Sequence, residues 1–318
     1  MTAYIIRRLI QAVFVIIIVT LLVFLAVRLL PGDPLLLYLS GSQMQSLSLE
    51  RIELYRHEFG LDKPIMVQYA NWISGLFHGD LGTSIFYQRP VSELIAVRLP
   101  ITLHLGLLAF VFSSILGITA GTVSALRRGT WLDFVITMMA NTGICVPVFW
   151  LGILMMYLFA FRLGWLPIGG YTSPFDDFVL STKQLIMPVI CLMVFALAAD
   201  ARQSRSSMLE VIHQDYIRTA WSKGLSERVI VLRHILKNGI IPIVTFKGMG
   251  FAYIIGGSVF IETVFNINGI GRLAAGAVIS RDYAIIQGII LLIAILVALI
   301  NLLVDISYGW LDPRVRYS

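Results

Sequence analysis

Six apolar stretches dominate the chain, separated by polar and charged segments. They cover, in order, residues 9–30, 99–126, 134–161, 184–199 with the polar residues that follow, 240–261 and 283–304. A helix needs about 20 apolar residues to cross the hydrocarbon core of a bilayer. The first stretch exceeds the roughly 7–15 residues of a signal-peptide core and no small-residue cleavage site follows it, so we expect it to remain a span. The pattern predicts an all-α integral membrane protein with six transmembrane helices.

The composition supports this class. Charged residues make up 13% of the chain and hydrophobic residues 58%, whereas a soluble domain carries roughly 25% charged residues. A soluble enzyme, a disordered chain and a disulfide scaffold are therefore excluded, and both cysteines lie inside apolar stretches. The formal net charge is +6, but the cations are spread between the stretches, so we expect no nucleic-acid partner.

The positions of the cations predict the topology. Thirteen of the 24 Lys and Arg residues lie at the N-terminus, after the second stretch, in segment 200–241 and in the tail. The positive-inside rule places these four segments, and hence both termini, in the cytosol. The resulting division is listed in chain order: a cytosolic N-terminus with the first helix (1–30), an extracytoplasmic segment (31–98), a membrane domain (99–305) and a cytosolic tail (306–318).

The spans offer little for catalysis or ion coupling. No nucleotide-binding loop and no hydrolase or metalloprotease motif occurs, and the five histidines are scattered, so we predict no catalytic residue and no metal site. No Asp or Glu lies in the middle of a predicted span, which weakens an ion-coupled carrier or channel. Lys247 is expected to snorkel to the cytosolic interface, with a role in the substrate path as the alternative. A membrane-embedded enzyme would need a polar cluster within the spans, and the sequence indicates none.

Segment 215–225 is the strongest local signal. Asp215 can cap a short helix, Gly224 can end it in a left-handed conformation, and Pro242 is expected to begin the fifth span. A short helix that protrudes at the cytosolic face can be a docking element bound by another protein. It can equally be an amphipathic helix that lies on lipid headgroups, and periodicity leaves both alternatives open.

Motifs spread over nearly the whole chain resemble those of one known family, the membrane subunit of type I ATP-binding-cassette importers in the peptide/nickel (oligopeptide/dipeptide) permease branch. The main motifs are Pro31-Gly-Asp-Pro34, Gly79-Asp-Leu-Gly-Thr-Ser84, Arg205-Ser-Ser-Met-Leu209, Asp215-Tyr-Ile-Arg218, Lys223-Gly-Leu225, Glu262-Thr-Val-Phe265, Gly269-Ile-Gly-Arg272, Arg281-Asp-Tyr283 and Asp312-Pro-Arg314. Several positions in these motifs have no known role: Pro31, Asp33, Gly79, Asp80, Glu262, Gly269 and Asp282.

The resemblance also implies the fold, the membrane and the partner subunits of this chain. Such a chain has the type I importer fold, lies in a bacterial or archaeal cytoplasmic (inner) membrane, and pairs with a second, homologous permease as a heterodimer. Two cytosolic ATPases bind ATP and Mg²⁺ and drive transport, an external binding protein delivers the substrate, and the chain itself binds no cofactor. The expected substrate is a di- or oligopeptide or a peptide-like solute, with glutathione, nickel chelates and sugars left open.

The resemblance also assigns ATPase coupling to the cytosolic loop. The residues it implies are Asp215, Tyr216, Arg218, Thr219, Ala220, Lys223, Gly224 and Leu225. The chain departs from the family signature at Arg218-Thr-Ala220, where Glu-Ala-Ala is usual, and at Trp221-Ser222, which could adapt the loop to its own ATPase.

The external segment contains one predicted amphipathic helix. Ile65, Tyr69, Trp72 and Leu76 share a face at helical spacing. Together with Phe77, its aromatic residues suggest contact with the binding protein or with the second permease, and a self-packed cap is the alternative.

Overall fold

The computed structural model describes residues 2–29, 53–54, 57 and 62–311. These residues form helices and connecting loops without a strand, apart from one isolated antiparallel bridge between Thr83 and Pro90. The helices are α1 (Thr2–Arg28), α2 (Ile65–Phe77), α3 (Val91–Leu126), α4 (Trp131–Cys145), α5 (Val148–Arg162), α6 (Phe178–Ile212), α7 (Asp215–Ser222), α8 (Glu227–Val264), α9 (Ile270–Ser280) and α10 (Tyr283–Leu311). The predicted all-α class is confirmed.

Five of these helices are each long and apolar enough to cross a membrane: α1, α3, α6, α8 and α10. A sixth span is possible if α4 and α5 act together, although they meet at an angle of 102°. The break falls at Pro147, and the preceding Val146 is extended with φ −76° and ψ 122°. A proline lacks the amide N–H and disfavours helical geometry at the residue before it, so stretch 134–161 forms two helices instead of one kinked helix.

The fifth span is longer than the sequence predicts. Helix α8 begins at Glu227, and Pro242 lies inside it instead of at its start. A π-helical turn over Ile230–Ile235 joins the first residues to the regular part. The prediction that Pro242 begins this span is wrong, because a proline interrupts one backbone hydrogen bond and the helix continues on both sides.

The described chain divides into two compact units, one built mainly from residues 102–267 and one mainly from residues 7–29, 62–101 and 268–298. In the first unit, α6 is the most buried candidate span. Gly117 and Gly121 of α3 face it: a Cβ at Gly117 would lie 2.6 Å from the Cβ of Asp200, and one at Gly121 would lie 2.6 Å from the Cβ of Ser204. The two glycines of this Gly-x-x-x-Gly motif therefore allow the close approach of α3 to α6.

Gly121→Ala is therefore expected to lower the thermal stability of the purified protein, because the added methyl group overlaps α6. The matched control is Gly250→Ala in α8, where no described atom lies within 4 Å of the new Cβ. Alanine favours helix by about 1 kcal/mol over glycine, so the control should be neutral or stabilising. Equal melting temperatures for the two variants would contradict this packing.

The second unit surrounds a separate apolar cluster. Its members come from α1, α3, α9 and α10: Val27, Val91, Leu94, Ile95, Ile270, Leu273, Ala277, Tyr283, Ile285, Ile286 and Ile289. Helix α2 packs its aromatic face on α1, with the rings of Tyr69 and Trp72 centred 5.2 and 6.0 Å from that of Phe24. Tyr69 and Trp72 thus behave as the self-packed alternative describes, whereas Phe77 is 87% exposed.

Candidate functional site

Helix α7 is a short amphipathic helix held between the end of α6 and the start of α8. Ile217 and Ala220 are buried in a cluster whose other members lie on α3, α6 and α8. These other members are Ala125, Met208, Ile230, Ile235 and Ile243. Because three long helices contribute to this cluster, the position of α7 is fixed by the protein interior.

The two ends of α7 differ from the prediction in one respect. Gly224 adopts a left-handed conformation with φ +72°, as predicted. The amide N–H groups of Gly224 and Leu225 donate to the carbonyl oxygens of Trp221 and Ala220 at 2.9 and 3.4 Å, the pattern of a Schellman motif. At the other end Asp215 is the first helical residue, and the extended Gln214 precedes it, so the predicted N-cap is wrong by one position.

The outward side of α7 carries most of the residues that the resemblance implies. Asp215, Arg218, Thr219 and Lys223 are exposed, and Tyr216 remains 45% exposed. Ala220 is the exception, since it faces the interior. Trp221, five residues after Tyr216, is 48% exposed. The sequence marked it only as a departure from the family signature, although a large aromatic residue on a short exposed helix is itself a signal of a contact surface.

A cavity of about 920 Å³ with a mainly apolar wall opens beside this segment. The start of α8, from Ser226 to Leu232, forms one side, and the end of α3 with the start of α4 forms the other. Arg127 and Arg228 add two cations to the wall. Glu227 lies on the same wall, so the concave surface carries two cations and one anion among its lining residues.

Close contacts behind α7 join α6 to α8. The hydroxyl group of Ser207 donates to the carbonyl oxygen of Gly239 at 2.7 Å. A Cβ at Gly239 would lie 2.5 Å from the sulfur of Met208, so a larger residue here would require the Met208 side chain to move. The two helices that flank α7 are thereby locked to each other near its base.

Asp133 and Arg205 form an ion pair that sequence reasoning missed. The Nε and Nη2 atoms of Arg205 donate to the two carboxylate oxygens of Asp133 at 2.8 and 2.9 Å. Ser124 and the amide N–H of Gly129 donate to the same carboxylate at 2.5 and 3.0 Å. The ion pair, with its hydrogen bond from Ser124, links α3, α4 and α6. The sequence signal that could have indicated a role for Arg205 is its position inside a family motif.

A second ion pair lies deeper, between Asp200 of α6 and Lys247 of α8. The ammonium group of Lys247 donates to a carboxylate oxygen of Asp200 and lies 5.1 Å from the ring centre of Phe110 on α3. The two residues are 2% and 8% exposed. The prediction that Lys247 snorkels is therefore wrong. Asp200 is a buried carboxylate inside α6, which continues 12 residues past it, whereas the sequence indicated no Asp or Glu in the middle of a span.

Two acidic family-motif positions, one in each unit, are structural hydrogen-bond acceptors. Glu262, fully buried in the first unit, accepts a hydrogen bond from the hydroxyl group of Thr102 at 2.7 Å. In the second unit Asp282 accepts from the hydroxyl group of Ser84 at 2.6 Å and from the amides of Phe86 and Ile285 at 3.1 and 3.3 Å. Asp282 thus fixes the loop before α3 against the start of α10.

The glycine and turn positions of the motifs define loop geometry. Gly79 has φ +77°, and Asp80 accepts a hydrogen bond from the amide of Gly82 at 2.8 Å. Gly269 is the extended residue before α9. Pro31 and Asp33 lie outside the described residues. In the described part of the chain, no group of three or more His, Cys, Asp or Glu residues could hold a metal ion.

Comparison with known proteins identifies the family. A family model described as the binding-protein-dependent transport system inner membrane component matches residues 113–317. A second, described as the N-terminal part of this membrane component, matches residues 1–106. Together the two models cover nearly the whole chain.

Curated relatives and a solved structure agree with the family models. The chain is 46% identical to a Brucella abortus protein named as a candidate peptide transport system permease, 40% identical to the glutathione transport system permease protein GsiC of Salmonella choleraesuis, and 37% identical to the dipeptide transport system permease protein DppB of Alkalihalophilus pseudofirmus. Each match covers 100% of both chains.

In fold, the chain matches a crystal structure of the MetNI methionine ABC transporter in inward-facing conformations. The TM-score is 0.58 at 18% identity, over 69% of this chain and 97% of that one. The chain therefore belongs to the binding-protein-dependent transport system inner membrane components, the permease subunits of ATP-binding-cassette importers.

Proposed function

We propose that this chain is one of two different permease subunits that form the pathway of a peptide importer, and that segment 215–225 couples the pathway to the ATPases. The relatives described above are named as peptide, glutathione and dipeptide permeases, which supports a di- or oligopeptide or a peptide-like solute as substrate. In this proposal the chain has no catalytic residue and binds no cofactor. ATP and Mg²⁺ bind to the two cytosolic ATPases.

The coupling proposal rests on the two sides of helix α7, one apolar and buried, the other exposed. Its apolar side is buried in the protein, so it is not available for insertion among lipid headgroups. Its exposed side presents Tyr216 and Trp221, two residues of the kind enriched in protein interfaces. The cavity that begins at Ser226, directly after this segment, adds a concave and mainly apolar surface, with Arg127 and Arg228 outnumbering Glu227 among its charged lining residues.

The partners are tested by purifying the tagged chain in a mild detergent from its native membrane and identifying the co-purified proteins by mass spectrometry. We expect a second permease and the ATPases. Trp221→Glu should reduce recovery of the ATPases while the second permease remains. The control, Trp165→Glu, changes a 65% exposed tryptophan far along the chain from α7 and should leave both recoveries unchanged. A stable oligomer of this chain alone would contradict the proposal and favour a self-sufficient carrier or channel.

A further inference from the structure

The cavity beside α7 lies where the sequence predicts the boundary between the membrane and the cytosol. The turn between α3 and α4, which carries Arg127 and Arg128, is cytosolic by the positive-inside rule, and so is segment 200–241. Trp131, the first residue of α4, is 72% exposed. Exposed tryptophan side chains are typical of the headgroup level of a bilayer. The cavity is therefore placed at the headgroups of the cytosolic leaflet.

The apolar part of the cavity wall continues along an exposed face of α3. The apolar lining residues are Val123, Leu126, Leu132, Val231 and Leu232. Val123 is 36% exposed and Leu232 is 54% exposed, so this wall is accessible from outside. Leu116, which is 45% exposed, lies seven residues before Val123 and hence on the same face of the helix. An acyl chain can therefore extend from the cavity along α3.

The charged part of the wall is also accessible. Arg127, Arg228 and Glu227 line the cavity, and all three residues are exposed. In the described part of the chain, neither Arg127 nor Arg228 has an ion-pair partner. Two guanidinium groups and one carboxylate give the wall one net positive charge beside its apolar surface. An anion with an apolar tail complements such a wall.

Anionic phospholipids have this combination of properties. A guanidinium group binds phosphate oxygens through two parallel, charge-assisted hydrogen bonds. The cytosolic leaflet contains the anionic lipids, and basic pockets between spanning helices on this side suit their headgroups. A zwitterionic lipid leaves the net charge of the wall unbalanced, whereas a lipid with one net negative charge neutralises it.

We propose that this cavity binds one anionic phospholipid of the cytosolic leaflet, with its phosphate group at Arg127 and Arg228 and its acyl chains against the apolar wall. The bound lipid joins the turn between α3 and α4 to the first residues of α8, directly after segment 215–225. The inference does not depend on which solute is transported. The exposed side of α7 remains the proposed contact with the ATPases.

The test uses the assembled importer in phosphatidylcholine nanodiscs and two lipid probes with a photoreactive diazirine in one acyl chain. Phosphatidylglycerol is the anionic probe and phosphatidylethanolamine, with identical chains, the zwitterionic one. Labelled peptides are identified by mass spectrometry. We expect phosphatidylglycerol to label peptides from residues 123–132 and 226–232 at least about fivefold more than phosphatidylethanolamine. Equal labelling by the two probes, or no labelling of these peptides, would overturn the proposal.

Charge variants test the two arginines. Arg127→Gln and Arg228→Gln should each lower labelling by phosphatidylglycerol about fivefold, whereas Arg127→Lys should retain more of it because the positive charge remains. The matched control is Arg233→Gln, which removes an exposed cation of α8 outside the cavity wall and should leave labelling unchanged. Unchanged labelling in both cavity variants, or an equal loss in the control, would overturn the proposed site.

Two further measurements separate a lipid from other occupants. Excess glycerol 3-phosphate, which has the phosphate group but no acyl chain, should not reduce labelling; full competition would indicate an anion site without a lipid. Leu232→p-benzoylphenylalanine places a photoreactive group on the wall, and we expect it to cross-link to phosphatidylglycerol. A cross-link to an ATPase or to the second permease, with no lipid product, would assign the cavity to a protein contact and overturn the lipid site.

Discussion

Replacing Asp200 with asparagine is expected to lower the stability of this permease by about 3–5 kcal/mol, or on the order of 10 °C in melting temperature. The change leaves the ammonium group of Lys247 buried without its counter-charge. Lys247 is 8% exposed, and its only other described partner is the ring of Phe110. A cation–π contact does not replace an ion pair in such a site.

A double-mutant cycle measures the pair itself. The variants are Asp200→Asn, Lys247→Met and the combination, compared by thermal unfolding of the purified transporter at one heating rate. Because removal of both charges leaves no unpaired ion, the combination should be more stable than the sum of the two single losses predicts. Strictly additive losses would mean that the two charges do not stabilise each other.

The pair also bears on how motion at α7 reaches the spans. Asp200 lies on α6 and Lys247 on α8, the two helices that flank α7. Together with the hydrogen bond between Ser207 and Gly239 near the base of α7, the pair joins these helices at two depths. In the proposed coupling, a displacement of α7 would therefore move α6 and α8 together.

Segment 215–225 could be predicted because its signals are local. A glycine at the end of a short helix indicates a left-handed residue, and Gly224 has that conformation. The start of the helix was misplaced by one residue because aspartate is a preferred N-cap, yet Asp215 occupies the first helical position, where its carboxylate still faces the positive end of the helix dipole. The inward direction of Ala220 follows from packing on three other helices, which no local signal contains.

The ion pairs could not be predicted for a different reason. Asp200 and Lys247 are 47 residues apart in sequence, and their pairing depends on how α6 packs on α8. Read alone, Lys247 is a cation near the end of an apolar stretch, for which snorkelling is the ordinary outcome. Asp200 follows directly after an uncharged run in a span expected to continue into polar residues, and nothing local indicates that its carboxylate is buried against α8.

Replacing Gly224 with valine is expected to uncouple ATP hydrolysis from substrate. A β-branched residue is strained at φ +72°, at a cost of about 1–2 kcal/mol. No described atom lies within 4 Å of the new Cβ, so the strain comes from the backbone and not from a clash. The native path of the chain from Trp221 to Leu225 should become about 5- to 30-fold less populated. The measurement is the substrate-stimulated ATPase rate of the importer with its binding protein, which should fall toward the unstimulated rate.

Two further variants separate coupling from folding. Gly224→Asn should retain most of the stimulation, since asparagine tolerates the left-handed conformation. Gly164→Val introduces the same substitution at φ +64°, again with no described atom within 4 Å of its Cβ, but outside the coupling segment. If Gly164→Val abolished stimulation as fully as Gly224→Val, the loss would reflect a strained loop in general. Loss in Gly224→Val alone, with the second permease still bound, would support the proposed contact between helix α7 and the ATPase.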